Sequence, residues 1–314
     1  MKNVFFKINT IVFIGLLFFS SAANSTESKV LLKPFSLAKI YKNEKLSQVA
    51  DKVRLQLINA GYKIIGTYSP SEKIDILIIS NATLVNAASK SRYGGFGAAL
   101  RVSLSQVKAD VQVAHNNPTY MAIAYNMKSY LSATRKKLAK TLGYVKDFGG
   151  KGIPANELGD YNYAFGLEGF FGFMELAEHK SHQLALAAVE KGFSRKFKKM
   201  EKVYRIDLPN KKQSVFGVSL KSDSKELALL NDKFVMDIID SKEVKHSAHL
   251  PYELMVVDKR VMMMHPHFRI AVNFPDLRMF GKHSFAKLMD LPYLYEEYFI
   301  QLAGGTWPIP EEID

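Results

Sequence analysis

The chain has 314 residues, with 43 Lys and Arg against 30 Asp and Glu, a formal charge of +13, a hydrophobic fraction of 47% and no cysteine. The length allows roughly two domains of about 100–200 residues each, and the apolar content suits packed cores, not a disordered chain. The missing cysteine excludes disulfides, thiolate metal sites, covalent c-type haem attachment, a lipid-modified cysteine and a catalytic thiol.

Lys2 and Lys7 precede the apolar run 11–19 and the small residues Ser20-Ser21-Ala22-Ala23. This is the charged, apolar, small-residue order of a secretory signal peptide, so residues 1–23 are assigned as a leader cleaved after Ala23. The apolar run is shorter than the about 20 residues a spanning helix needs, and no other stretch is apolar enough. The expected product is a periplasmic or secreted soluble protein, not an integral membrane protein. It remains strongly basic after losing two lysines, which in an exported chain favours anionic membrane surfaces or acidic protein partners over nucleic acid.

Phe35, Leu37 and Ile40 alternate with polar residues as a short strand. Leu46, Val49, Val53, Leu57 and Ile58 recur at helical spacing, with Gly61 placed to stop the helix. Residues 62–67 form a strand closed by Ser69-Pro70-Ser71, and the β-branched run 74–79 reads as a buried strand. Asn81 caps a short helix. Tyr93, Gly94, Gly95 and Gly97 follow it as a candidate ligand loop, because glycine lets backbone N–H groups approach an anion. These glycines precede a strand, however, where a phosphate loop would precede a helix. Strands 100–104 and 109–114, the exit Asn117-Pro118 and a helix over 119–142 complete a first unit, residues 30–142. Residues 143–172 contain eight glycines and seven aromatics and form an ordered connector.

The plan then restarts over residues 173–283. Residues 173–180 parallel 35–42. Leu184, Ala187, Ala188 and Val189 form a helical face, 203–208 and 214–220 are strands, and 227–239 is a helix. The stretch 247–276 is a hairpin turning at Asp258-Lys259-Arg260. Residues 284–314 hold a helix broken near Pro292 and a tail. The fold class is therefore α+β: two similar two-layer α/β-sandwich units, each with helices on one face of a mainly antiparallel sheet.

Two stretches carry a family resemblance. Gly-Phe-Gly-Ala-Ala, a strand pair and the exit Asn117-Pro118-x-Tyr120 lie within 93–120, and His249-Leu250-Pro251-Tyr252-Glu253-Leu254 opens the later hairpin. With these the chain resembles the domain of unknown function 302 family, in tandem. Ala98-Ala99 stands where that family has Leu-Pro, and the second copy is read as inserting residues before its Pro exit at Asn273-Phe274-Pro275-Asp276. The resemblance implies the small two-layer fold and carries over no catalytic residue.

Five of the eight histidines lie between His246 and His283. His265 and His267, two apart on a predicted strand, would share a face, with His246 and His249 in hairpin reach. Neutral imidazoles suit zinc and copper, and the thioethers of Met262, Met263 and Met264 suit Cu(I). These four histidines are the candidate metal ligands. Neither Gly-x-Ser-x-Gly nor His-Glu-x-x-His occurs, and no spacing selects an acid/base pair among Asp207, Asp237, Asp240 and Glu253. The basic run 195–199 is a candidate contact for an anionic surface. These observations favour a non-enzymatic binding protein of the cell envelope for a small ligand, metal or protein partner. The alternative is an envelope enzyme of unknown reaction.

Overall fold

The computed structural model describes residues 30–164, 166–195 and 199–307. The leader, Lys196, Phe197 and Lys198 of the basic run, and the tail beyond 307 lie outside these residues. The elements in order are β1 (Leu31–Leu32), β2 (Phe35–Tyr41), α1 (Leu46–Asn59), β3 (Lys63–Ser71), β4 (Ile74–Ser80), α2 (Ala82–Ser89), β5 (Leu100–Val107), β6 (Asp110–Asn116), α3 (Pro118–Ala124) and α4 (Ser132–Leu142). The connector contributes β7 (Lys146–Phe148) and β8 (Ile153–Pro154). Then follow β9 (Phe173–Glu178), α5 (His182–Ser194), β10 (Met200–Asp207), β11 (Gln213–Leu220), α6 (Asp232–Ile239), β12 (Tyr252–Val257), β13 (Arg260–Met264), α7 (Pro266–Asn273) and α8 (Leu291–Ala303). Among the described residues no helix is long and apolar enough to cross a membrane.

The α+β duplication is written in the sheets. The first runs β3-β4-β5-β6-β2 with β7 added at its edge, and the second runs β10-β11-β12-β13-β9. All pairings are antiparallel. The irregularities repeat as well. The register skips Ala38 in β2 and Leu176 in β9, and Ile65 in β3 and Val203 in β10. A bulge bends its strand and strengthens the local twist, so both sheets are bent at matching strands, and β3 has a further irregularity between Tyr68 and Ser71. The caps repeat too: Asn81 caps α2 through the Leu84 N–H, and Asn231 caps α6 through the Phe234 N–H.

Several elements depart from the sequence-based expectations. The helix expected over 119–142 is two helices, because Asn126 and Leu131 both take left-handed backbone between α3 and α4. The helical stretch is interrupted near Pro292 as expected: a short turn Phe285–Leu288 is followed by α8, and Pro292 sits in the first turn of α8, where its missing N–H costs nothing. The later hairpin ends at Met264. His265 caps α7 and Pro266 is its first residue, as Asn117 and Pro118 are for α3. The counterpart of the Asn117-Pro118 exit is thus His265-Pro266, not Asn273-Phe274-Pro275-Asp276, and no insertion precedes it.

The two units share one continuous apolar core. Helices α1 and α4 pack on the first unit's strands, and α5 and α8 on the second's. On β5, Arg101 and Ser105 point the other way, toward the second unit, which leaves Leu100, Val102 and Leu104 on the α1 side. The two sheets thus face each other between outer helices. The contacts are reciprocal: the short helical turn Gly94–Gly97 packs on β11 and β12, and the turn Ser247–His249 packs on β4, β5 and β6. The edge strands β3 and β10 also meet, so closely that a Cβ at Gly66 would lie 2.5 Å from the Val203 carbonyl oxygen.

A buried charge cluster lies in the interface. Arg101 and Arg269 both pair with Glu253, the Tyr204 hydroxyl donates to the same carboxylate at 2.5 Å, and Arg269 donates to the His249 carbonyl at 2.7 Å. Burial would lower the pKa of Arg101, but the Glu253 carboxylate, together with Tyr204 and Tyr125, raises it and holds the guanidinium charged.

Candidate metal centre

Three side chains that can ligate a metal converge where the connector crosses the N-terminus of α7. They are Glu168, His265 and His267, and among the described residues they form the one such group of three, with ligand atoms within 4.8 Å of one another. His265 follows β13, and as the cap residue its Nδ1 accepts the His267 N–H at 3.3 Å. Pro266 starts the helix in the favoured first position. His267 follows in the first turn, and the two imidazole centroids lie 5.1 Å apart. The expectation that both histidines project from one face of a strand is therefore corrected. They are brought together by the strand-to-helix corner, not by a period of two.

Glu168 reaches this corner from the connector. Its Oε2 is 3.3 Å from His265 Nδ1 and 3.9 Å from His267 Nδ1. The connector is pinned by Tyr163, which stacks on Phe285 at 4.4 Å and donates to the Leu277 carbonyl, and by Phe170 against Phe268. Gly172 leaves room for the turn, since a Cβ there would lie 2.8 Å from Glu168 Cβ.

The electron pairs at this corner are arranged for a cation. His267 Nε2 faces the Leu288 carbonyl at 3.3 Å, which requires an N–H on Nε2 and leaves the lone pair on Nδ1. His265 Nδ1 has one lone pair, which accepts the His267 N–H in the cap, so an ion at the corner would take over that lone pair and break the cap bond. Glu168 Oε2 is buried and has no hydrogen-bond donor. Burial lowers the pKa of both rings, that of His265 to about 4, although the Glu168 charge works in the opposite direction. Both imidazoles are thus neutral at neutral pH, the protonation state that metal ligation requires. Bonds of about 2.0–2.1 Å in a tetrahedron give ligand–ligand edges of about 3.3–3.4 Å, and the carboxylate-to-imidazole distances need to close only slightly. The Leu288 carbonyl on the far nitrogen is the kind of partner that fixes a ligating imidazole. The Glu168 side chain remains 37% exposed, so one side of the corner is open to solvent.

The other two candidate ligands do not join. His246 Nδ1 bonds Asp240 Oδ1 at 3.0 Å, and its ring packs among Phe35, Phe148 and Phe274. His249 bonds the Tyr252 hydroxyl at 3.2 Å, and burial, then Arg269 and Arg101, holds it neutral. The four-histidine site of the sequence reading is therefore corrected to one histidine pair plus Glu168. Met262, Met263 and Met264 belong to the buried apolar core.

The glycine loop is corrected as a ligand cradle as well. Gly94–Gly97 is a buried helical turn whose glycines admit Ala88, Met255 and Met127 at distances no Cβ would tolerate, and Tyr93 packs on Phe173. The four carboxylates have separate partners: Arg205 and Ser214 for Asp207, Lys233 for Asp237, His246 for Asp240, and Arg101 for Glu253. Glu168 was missed by sequence reasoning. Its one signal is that it is the only carboxylate between Asp160 and Glu175, in a stretch otherwise without charge.

No protein-family model, no curated protein and no solved structure matches the chain.

Proposed function

We propose that the chain is an exported binding protein of the cell envelope that holds a divalent transition-metal ion through Glu168, His265 and His267. The observation that carries this reading is the buried, donorless Glu168 oxygen beside the Nδ1 atoms of two imidazoles. Two imidazoles and one carboxylate suit Zn²⁺ best, with Cu²⁺ next by general affinity order. Export rests on the leader pattern in residues 1–23. Membership of the domain of unknown function 302 family, in tandem, is supported by the motifs in 93–120 and 249–254 and is compatible with the repeated topology. The excess of basic residues supports contact with anionic membrane surfaces or acidic proteins.

Calorimetric titration of the mature protein with Zn²⁺ and with Cu²⁺ tests the site. The expected result is one ion per chain at micromolar affinity or better, with Glu168→Gln and His267→Ala each weakening binding at least tenfold while the far-ultraviolet dichroism is kept. No stoichiometric binding at micromolar concentration, or binding indifferent to both substitutions, refutes it. The enzyme reading is favoured by one observation: three protein ligands and an open side are the pattern of catalytic zinc sites, where a water takes the fourth position.

A further inference from the structure

A second site lies away from the metal corner. Between the end of α6 and the loop that follows α7 is a cavity of about 330 Å³ lined by His246, His283, Lys242, Arg278, Lys282 and Phe280, among others. The volume lies at the lower end of the range of small-molecule sites, about 300–1,000 Å³.

Its wall is built, not incidental. His246 is 3% exposed, and the Asp240 carboxylate holds it twice, accepting the ring Nδ1–H at 3.0 Å and the backbone N–H at 2.9 Å. This fixes the tautomer with the hydrogen on Nδ1, so Nε2 presents an acceptor lone pair to a group in the cavity. His283 repeats the device with a carbonyl: its Nδ1 donates to the Ile238 oxygen at 2.9 Å, again leaving Nε2. Around the two imidazoles stand three cations. Lys242 is partnered by Asp276 at 3.4 Å, and Arg278 and Lys282 have no ion pair among the described residues. With Asp240 committed to His246, the wall carries an excess of positive charge. Phe280, 77% exposed, and Phe274 add aromatic surface beside it.

We propose that this cavity binds a small phosphomonoester, with Arg278 and Lys282 on the phosphate oxygens, the P–OH of its monoanion donating to an imidazole Nε2 of His246 or His283, and the organic group against Phe280. A planar guanidinium matches two phosphate oxygens at once, and the small volume suits a soluble ester over a bilayer headgroup.

The test is calorimetry with phenyl phosphate, benzoate and inorganic phosphate on the full mature protein. Chelator is present throughout, so that phosphate on a metal at the α7 corner cannot contribute. Phosphatidylcholine vesicles with and without phosphatidic acid form a separate arm. Arg278→Ala and Lys282→Ala lie on exposed loop positions, so folding is preserved. The expectation is saturable binding of phenyl phosphate, tighter than benzoate, and about tenfold weaker in each variant, as fits loss of a charge-assisted hydrogen bond. Four outcomes overturn the proposal: no binding at millimolar ligand, equal binding of benzoate, binding unchanged in both variants, or binding only to phosphatidic acid vesicles.

Discussion

Replacing Glu253 by Gln should destabilise the fold more than any other isosteric change in the interface. Its carboxylate is wholly buried and is the anion that Arg101 and Arg269 share. Arg101 Nε and Arg269 Nε and Nη1 already lack partners among protein atoms, so the cluster has no spare acceptor to take over. Gln keeps the volume and one acceptor oxygen but removes the charge, leaving two guanidiniums out of water with carbonyls alone to balance them. Removing one member of a buried ion pair costs about 3–5 kcal/mol. For a chain of this size, with about 2–4 °C per kcal/mol, the melting temperature should fall by roughly 6–20 °C. Urea denaturation followed by dichroism gives the free energy at 25 °C, and an unchanged denaturant slope establishes that the native state is what lost stability. A double-mutant cycle with Arg101→Met then isolates the pair: with the cation gone as well, the double variant should lose less than the sum of the single losses. A loss below about 1 kcal/mol for Glu253→Gln, typical of a solvent-screened pair, would refute the assignment of Glu253 as the charge centre that joins the two sheets.

Two further expectations follow from particular atoms. Asp232 is fully buried, accepts from the Tyr68 hydroxyl at 2.7 Å and the Leu220 N–H at 2.9 Å, and burial pushes its pKa up to about 7. A carboxyl raised in the folded state keeps its proton between its usual pKa and 7 while the unfolded chain releases it. Stability should therefore fall with rising pH across that window, by up to about 4 kcal/mol. In Asp232→Asn that fall should disappear, as urea unfolding at pH 5 and pH 8 will show; an unaltered difference between the two pH values would contradict it. At the meeting of β3 and β10, Gly66→Ala places a methyl against the Val203 backbone oxygen and should cost about 1–3 kcal/mol by overpacking. A melting temperature equal to that of the unsubstituted protein would show that the two edges are not held at this distance.

Local signals made much of this fold legible. The β-branched run 74–79 is strand β4, and Asn81 does cap the helix after it. The recurrence of strand, helix, strand, strand, helix, strand, strand was readable because each element carries its own periodicity and stop residue. What escaped depends on contacts between distant residues. His265 reads as the next residue of an alternating strand until Pro266 is given its first-turn role, and nothing local distinguishes that corner from a disturbed strand. Glu168 lies about a hundred residues before its imidazole partners, and Arg101 and Glu253 are separated still further. Sequence periodicity records which face a residue takes, not which other face it will meet.

The corner itself shows how a duplicated frame can acquire a site in one copy only. Asn117 and His265 occupy the same place, capping the helix after the last strand of each unit, and both satisfy a backbone N–H there. In the first unit the Asn117 side chain is closed off, with its amide donating to the Lys33 carbonyl. The cap role leaves it nothing to offer a ligand. In the second unit the same role is filled by an imidazole, whose Nδ1 caps the helix and can turn that same lone pair to an ion at the corner. The helices α3 and α7 also touch directly, since the Tyr120 hydroxyl donates to the Val272 carbonyl at 2.8 Å. The connector runs across both, receiving the Asn126 amide at the Gly159 carbonyl and then delivering Glu168 to His265 and His267. There is one connector for two equivalent corners, so only one can receive its carboxylate. An ion bound there would tie the connector to the second unit across the helix pair that joins the two halves, and the asymmetry of the site follows from the chain's connectivity.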